Sequence, residues 1–157
     1  KLLLILLFLP FIGFGQSIKK PIDWVSYLPK TNITGQYQEL YSYTKEKNFE
    51  GPSISLIKIY SGGDISYVKE LYIESVIPAT AKSEGGNGII KHSPKEIILN
   101  GKRSFYFTIE WDYLSHVVRR TYYTIPFSEH TLQICFMDFS FDNCEEVFQR
   151  TLKTMSF

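Results

Sequence analysis

The sequence has few of the residues that usually build disulfide and metal sites. Its 157 residues include two cysteines and three histidines, and no histidine stands at a spacing typical of a metal site. Cys135 falls within a predicted strand, and Cys144 falls in the first turn of the helix predicted to follow it. We expect their Cα atoms to lie farther apart than the roughly 7 Å that a disulfide allows. The sequence therefore predicts two buried thiols and indicates no cofactor.

The chain also lacks an excess of charge of either sign. It carries 17 Lys and Arg residues against 16 Asp and Glu residues, for a net charge of +1. Lys1 is the only charged residue among residues 1–15, so the rest of the chain is neutral. A neutral domain has no general electrostatic attraction for nucleic acid or for an acidic membrane. We therefore expect neither as a partner.

Motifs of the common enzyme classes are missing as well. The glycine-rich segment 85–88 lacks the Lys-Ser/Thr ending of a phosphate-binding loop, and the chain has no Gly-x-Ser-x-Gly elbow. Ser128, Glu129 and His130 have the residue types of a hydrolase triad. Consecutive residues on a tight turn cannot align along one hydrogen-bonded line, so we set this triad aside. The sequence favours a protein that is not an enzyme.

The one long apolar run lies at the amino end of the sequence. Residues 2–9 are unbroken apolar residues after a single positive charge, and Gly13 and Gly15 place small residues where signal peptidase requires them. A membrane-spanning helix needs about 20 apolar residues, and this run is shorter and is followed by Pro10. We predict that residues 1–15 are a cleaved signal peptide and that the protein is periplasmic or secreted, without stable membrane insertion. The alternative is an uncleaved anchor.

Beyond this segment, the sequence predicts a lead-in arm at residues 16–32 and a single domain at residues 33–157. Apolar and β-branched runs predict strands at residues 36–44, 53–60, 89–99 with an interruption at Pro94, 104–112, 117–125 and 131–139. The last three form an antiparallel meander in which Glu110 lies opposite Arg119. One face of the meander is then a core layer with Arg120 as its misfit: Phe105, Phe107, Ile109, Trp111, Val118 and Tyr122.

Two amphipathic helices complete the predicted domain. Asp64 is expected to cap a helix that stops near Ile77, because Pro78 disfavours helical geometry in the residue before it; the alternative is that residues 79–82 add a further turn. Asp142 is expected to cap the closing helix, residues 141–154, in a capping-box pattern. The sequence therefore predicts an α+β fold, with an antiparallel sheet of about six strands flanked by helices on both faces as an α/β/α sandwich.

This pattern resembles the PsbP-like family, named for the extrinsic protein of the oxygen-evolving photosystem. The residues that carry the resemblance are the turn Asn100-Gly101, the strand end Glu110-Trp111, the tyrosine-rich strand 121–125, and the closing residues Phe148, Leu152, Ser156 and Phe157. The resemblance covers residues 33–157. It implies the α/β/α sandwich and a non-enzymatic domain that binds or stabilises another protein. No site motif of the family matches, so the resemblance assigns no functional residue.

Tyrosine is the most unusual component of the chain, with 11 residues. Tyr37, Tyr41 and Tyr43 fall on one predicted strand face, and on an uncovered face they would form a binding surface for a protein or a glycan. The competing interpretation is that these tyrosines fill the margin between the sheet and the helices. For Trp24, in the lead-in arm, we favour a core-filling role over ligand stacking.

Glu110, Asp112 and His116 are the candidate metal ligands, because carboxylates and an imidazole meet near one predicted hairpin. Polar residues are also common at solvated hairpin ends, which is the simpler interpretation. We predict an exported, non-catalytic domain that binds or stabilises another envelope or secreted protein. The alternatives are a small-ligand or glycan carrier with an aromatic pocket and a metal-dependent hydrolase that works at this trio.

Overall fold

A computed structural model of the protein describes residues 16–26, 35–46, 51–83 and 88–157. These residues form a sheet whose strands are β1 (Val25–Ser26), β2 (Tyr37–Thr44), β3 (Ser53–Ile59), β4 (Ile89–Leu99), β5 (Lys102–Tyr113), β6 (His116–Pro126) and β7 (Thr131–Phe139). The helices are α1 (Ile65–Leu71), a π-helical segment (Tyr72–Val76), α2 (Ile77–Ser83) and α3 (Glu145–Lys153). The strand order is β1-β2-β3-β7-β6-β5-β4, and all neighbours are antiparallel. The sheet-centred α+β class is confirmed.

Tight turns fix the register of the central meander. Leu114 and Ser115, between β5 and β6, both have positive φ, as a two-residue hairpin turn of type I′ requires. Glu110 consequently lies opposite Arg119, as predicted, and Arg119 lies opposite Asp138 on β7. Three charged residues therefore stand in one row across three strands.

The edge strand β4 is irregular, as predicted around Pro94. Its pairing with β5 shifts register between Ile90 and His92 and again between His92 and Lys95. Pro94 has no N–H to give to a strand ladder, and an edge strand with bulges accommodates it. Residues 84–87, which contain most of the glycine-rich segment, lie outside the described residues.

The lead-in arm belongs to the domain where it is described. β1 pairs with β2, and Ser17 forms a β-bridge with Ser156. Trp24 is buried and packs edge-on against Phe148, with ring centroids 6.2 Å apart, so its core-filling role is confirmed. The arm thereby supplies a seventh strand. The predicted signal peptide lies outside the described residues, and no helix within those residues is long and apolar enough to cross a membrane.

The first helix starts where predicted but does not stop near Ile77. The Ser66 N–H donates to Asp64 Oδ1 at 2.8 Å, which confirms the cap. The helix then continues through the π-helical segment and α2 to Ser83, and Ile77 itself has helical φ and ψ of −65° and −47°. Pro78 falls in the first turn after the π-helical segment. The N–H that proline lacks is therefore not needed for a regular α-helical hydrogen bond. The predicted stop was wrong for this reason.

The closing helix begins later than predicted. Its N-cap is Cys144, whose side chain makes no capping hydrogen bond, and Asp142 lies in a turn before it. The carboxylate of Asp142 accepts a hydrogen bond from Lys45 Nζ at 2.6 Å instead of capping the helix. Within the described residues neither cysteine forms a disulfide, and Cys144 is buried whereas Cys135 is half-buried. The predicted burial therefore holds fully only for Cys144.

Alternation along the strands divides the core into two clusters. The first contains α3 and the side of the sheet that we call the Asp138 face; its members include Trp24, Ile54, Leu56, Ile134, Phe136, Phe148 and Leu152. The second contains residues from α1 to α2 and the side of the sheet that we call the Trp111 face; its members include Val68, Tyr72, Ile77, Phe105, Phe107, Ile109, Trp111, Val118 and Tyr122. The predicted core layer of the meander is confirmed within the second cluster.

Candidate functional site

A groove on the Asp138 face brings charged and aromatic side chains together beside α3. We call it the β4–α3 groove, and its volume is about 390 Å³. Its sheet residues include Lys91, Tyr106, Glu110, Arg119, Tyr123 and Asp138, and α3 contributes Glu145, Phe148 and Gln149. Strands β4 to β7 form its floor. Side chains alternate along each strand, so all four strands contribute residues to the Asp138 face.

Glu110 in this groove is held by two cations. Arg119 Nε donates to Glu110 Oε1 at 2.8 Å, and Lys91 Nζ lies 3.5 Å from Glu110 Oε2. Burial by itself would raise the pKa of Glu110, but the Arg119 hydrogen bond and the charges of Arg119 and Lys91 outweigh it and lower the pKa. Glu110 is therefore an ionised, satisfied carboxylate, and the predicted pairing with Arg119 is confirmed.

Asp138, unlike Glu110, has no cation bonded to it among the described residues. Asp138 is 9% exposed, and within the part of the chain that the structure describes no protein group donates a hydrogen bond to its carboxylate, whose oxygens reach the water of the groove. Burial raises the pKa of Asp138 to about 6, and nearby Glu145, Asp142 and Glu110 add to the effect while Arg119 opposes it. The sequence analysis missed this residue. The available signal was a single carboxylate inside the otherwise apolar or neutral run 131–139.

Aromatic and amide groups form one wall of the β4–α3 groove. The rings of Tyr106 and Tyr123 stack with centroids 5.6 Å apart. Gln149 Nε2 donates to the Tyr123 hydroxyl at 3.4 Å and to Glu145 Oε1 at 2.9 Å, which ties α3 to the sheet. Burial raises the pKa of Tyr123, so this tyrosine stays neutral. The groove thus joins flat aromatic surface to buried charge.

The tyrosines predicted as a binding surface are not brought together. Tyr37 lies opposite Ile59 and Tyr41 opposite Leu56, and a register shift separates Glu39 from Tyr41. A bulge that adds one residue moves the following side chains to the other face, so Tyr37 projects from the Trp111 face and the other two from the Asp138 face. Tyr43 is buried, and its hydroxyl donates to the Ile18 carbonyl oxygen at 3.2 Å. The prediction of one shared face was wrong.

The candidate metal ligands are also divided. Glu110 and Asp112 belong to the Asp138 face, whereas His116 pairs with Tyr113 on the Trp111 face. The His116 ring packs edge-on against Phe141 with centroids 4.8 Å apart. Across residues 16–26, 35–46, 51–83 and 88–157, no group of three or more His, Cys, Asp or Glu residues is placed to hold a metal ion. The geometry therefore does not favour a metal site at this trio.

A second cleft lies on the Trp111 face, at the tip of the β5–β6 hairpin. This hairpin cleft has a volume of about 500 Å³, and its lining includes Trp111, Tyr113, Leu114, His116, Phe139 and Phe141. The rings of Phe139 and Phe141 stack at 5.5 Å, and the Arg120 guanidinium lies 5.2 Å from the centre of the Trp111 ring. The side chains of Leu114 and Phe141 are 78% and 63% exposed, so the cleft presents apolar surface to solvent.

No protein-family model and no curated protein matches the chain. One solved structure with a similar backbone is that of LpqN, a protein involved in cell envelope biogenesis of Mycobacterium tuberculosis. It is 16% identical, the match covers 89% of this chain and 79% of LpqN, and the TM-score is 0.47. A likeness at this level carries no argument about function.

Proposed function

We propose that this protein is an exported, non-catalytic domain that binds another envelope or secreted protein through the β4–α3 groove. The observation that carries the proposal is the presence of Asp138, a buried carboxylate without a hydrogen bond among the described residues, beside the stacked pair Tyr106 and Tyr123. A largely buried carboxylate that only water solvates is less stable in its ionised form than in bulk water, and a bound partner that donates a hydrogen bond to it can offset that cost. Tyrosine also supplies large contact area at protein interfaces.

The PsbP-like sandwich, with helices on both faces of the sheet, is part of this proposal. The two hydrophobic clusters support it, because α3 contributes to one cluster and the α1 to α2 region contributes to the other. The PsbP-like resemblance implies a binding or stabilising role rather than catalysis. Export rests on the predicted signal peptide at residues 1–15.

The proposal is tested by capturing a partner and then measuring its affinity directly. Residues 16–157 serve as bait in an envelope extract, and each captured protein is purified and titrated against wild type and two variants by calorimetry. Tyr106→Ala removes one ring of the stacked pair in the groove. Glu146→Gln is the matched control, because Glu146 lies on α3 with its side chain 81% exposed, paired with Arg150 outside the groove.

The expected result is a partner whose affinity falls at least about 10-fold with Tyr106→Ala, as truncating an interface tyrosine commonly does. Glu146→Gln should leave the affinity unchanged. Equal affinity of every captured protein for wild type and Tyr106→Ala would contradict binding through the groove.

The hairpin cleft favours a second candidate function, the carrying of a small neutral ligand or a glycan. Its lining joins four aromatic side chains, Trp111, Tyr113, Phe139 and Phe141, to Leu114, and among the described residues that line it there is no carboxylate. Aromatic faces of this kind suit apolar or sugar-ring surfaces. Titration of neutral oligosaccharides with Trp111 fluorescence as the signal tests this candidate. A saturable change that is lost in Phe141→Ala would support it, and no change would exclude it.

A further inference from the structure

We propose that the β4–α3 groove accepts a basic side chain, a lysine or an arginine of the partner protein, whose cationic group pairs with Asp138. This inference rests on the proposed function, because it names the chemistry of the segment that the groove takes. The bound group would donate charge-assisted hydrogen bonds to the Asp138 carboxylate, and its methylene stem would lie along the aromatic wall.

The first argument is that the protein leaves Asp138 without a bonded cation. Asp138 is 9% exposed and lines the groove. Arg119 stands opposite Asp138 in the strand register, but it directs its Nε hydrogen bond to Glu110 at 2.8 Å. Among the described residues of the groove floor, Asp138 is consequently the carboxylate that forms no hydrogen bond with a cation.

The second argument is the sign of the surrounding charge. The charged groups that face Asp138 are Arg119 on β6, Glu110 on β5, Glu145 on α3 and Asp142 just before α3. Glu110 is paired with Arg119 and Lys91, and Asp142 is paired with Lys45. Glu145 accepts its hydrogen bond from the neutral amide of Gln149. The unmatched charge at the floor is therefore negative, which selects a cation.

The third argument is the shape and chemistry of the wall, which suit an organic cation. The stacked rings of Tyr106 and Tyr123 offer aromatic faces, and such faces attract ammonium and guanidinium groups as well as packing their stems. A bare metal ion has no methylene stem that could pack against these rings. Lys91 of β4 lines the groove with its side chain 57% exposed, so a side chain on an extended partner segment can enter beside it.

The test uses small cations that imitate the two side chains. Butylammonium and ethylguanidinium are titrated into residues 16–157 and followed by NMR through the Asp138 and Tyr123 backbone amides, with butanol as the neutral probe of similar size. Asp138→Asn removes the charge and keeps the shape. Glu146→Gln makes the same carboxylate-to-amide change on the exposed side of α3 and is the matched control.

We expect saturable shifts with at least one cation, no saturable shift with butanol, a loss of affinity of at least about 10-fold in Asp138→Asn, and no loss in the control. Equal binding of butanol, or unchanged cation binding in Asp138→Asn, would overturn the inference. Displacement of the organic cation by equimolar Ca²⁺ would overturn it as well, in favour of a metal. A folded Asp138→Asn variant is verified by circular dichroism.

The same variants separate this inference from the proposed function. If Tyr106→Ala weakens binding of the captured partner while Asp138→Asn does not, the cation inference fails and the groove remains the binding site. If neither variant changes the affinity of the partner, the proposed function fails too.

Discussion

Replacing Asp138 by asparagine should make the isolated domain more stable at neutral pH, although it removes a charged residue. The pKa of Asp138 is raised from its ordinary value of 3.8 to about 6 by burial and by neighbouring carboxylates. Each pKa unit corresponds to about 1.4 kcal/mol, so the ionised carboxylate costs the folded state at most about 3 kcal/mol. Because the side chain lines a groove that water enters, we expect a gain of ~2 kcal/mol for Asp138→Asn at pH 8.

The pH dependence follows from the direction of the shift. A carboxyl group whose folded-state pKa lies above its unfolded-state value binds more protons in the folded protein between those two values. Its contribution to stability is therefore most favourable below about pH 4, falls as the pH rises through the window from about 4 to 6, and stays low above it. The advantage of Asp138→Asn should consequently be small at pH 4 and complete at pH 8.

Urea denaturation at pH 4, 6 and 8, followed by tryptophan fluorescence and circular dichroism, measures this difference directly. At pH 8 a gain of ~2 kcal/mol should also raise the melting temperature of a domain of this size by about 4–8 °C. Destabilisation of Asp138→Asn at pH 8, or the same gain at pH 4 and pH 8, would refute the reasoning. Destabilisation would mean that the folded protein satisfies the Asp138 carboxylate, and an equal gain at both pH values would mean that the gain does not arise from its ionisation.

Further substitutions test the rest of the structure. Glu110→Gln should have the opposite sign, a loss of about 1 kcal/mol at pH 7 that disappears as the pH falls through the lowered pKa of Glu110, measured by the same urea titrations. Trp24→Ala should cost about 3–5 kcal/mol in urea unfolding, because the buried ring leaves a cavity against Phe148. Gly62→Ala should lower the melting temperature, because its Cβ would lie 2.3 Å from the Phe127 carbonyl oxygen.

The meander was predictable because local chemistry and long-range pairing agree there. Asn100 and Gly101 both adopt the positive φ that a two-residue hairpin turn needs. Glu110 and Arg119 have opposite charges at facing positions, and both belong to strands whose other face is apolar apart from Arg120. With the turns fixed, strict alternation determines which side chains share a face.

Two features of the fold could not be predicted from local pattern. Nothing in the sequence around Leu40 distinguishes a regular strand from one with an extra residue, yet the bulge between Glu39 and Tyr41 moves Tyr41 and Tyr43 to the other face. Pro78 normally predicts the end of a helix, but the π-helical segment before it changes the hydrogen-bond pattern. In both cases tertiary packing decides between local alternatives of similar free energy.

The candidate site was harder to predict than the fold. Polar residues that lie close together in the sequence point to His116 and its neighbours at the hairpin end. The β4–α3 groove instead joins residues from four strands and α3, and Asp138 stands among apolar neighbours in β7. Its environment depends on Arg119 and Glu145, which approach it only after the strands pair and α3 packs. Such a site is visible only in three dimensions.

Site-specific photo-crosslinking in an envelope extract tests the central claim most directly. A benzoylphenylalanine replaces Tyr106 in the β4–α3 groove or, as the control, Tyr60, which is 52% exposed at the end of β3. Binding through the groove predicts an adduct from position 106, absent from position 60, whose cross-linked peptide contains a lysine or an arginine. An adduct formed equally from both positions, or no adduct from position 106, would contradict it.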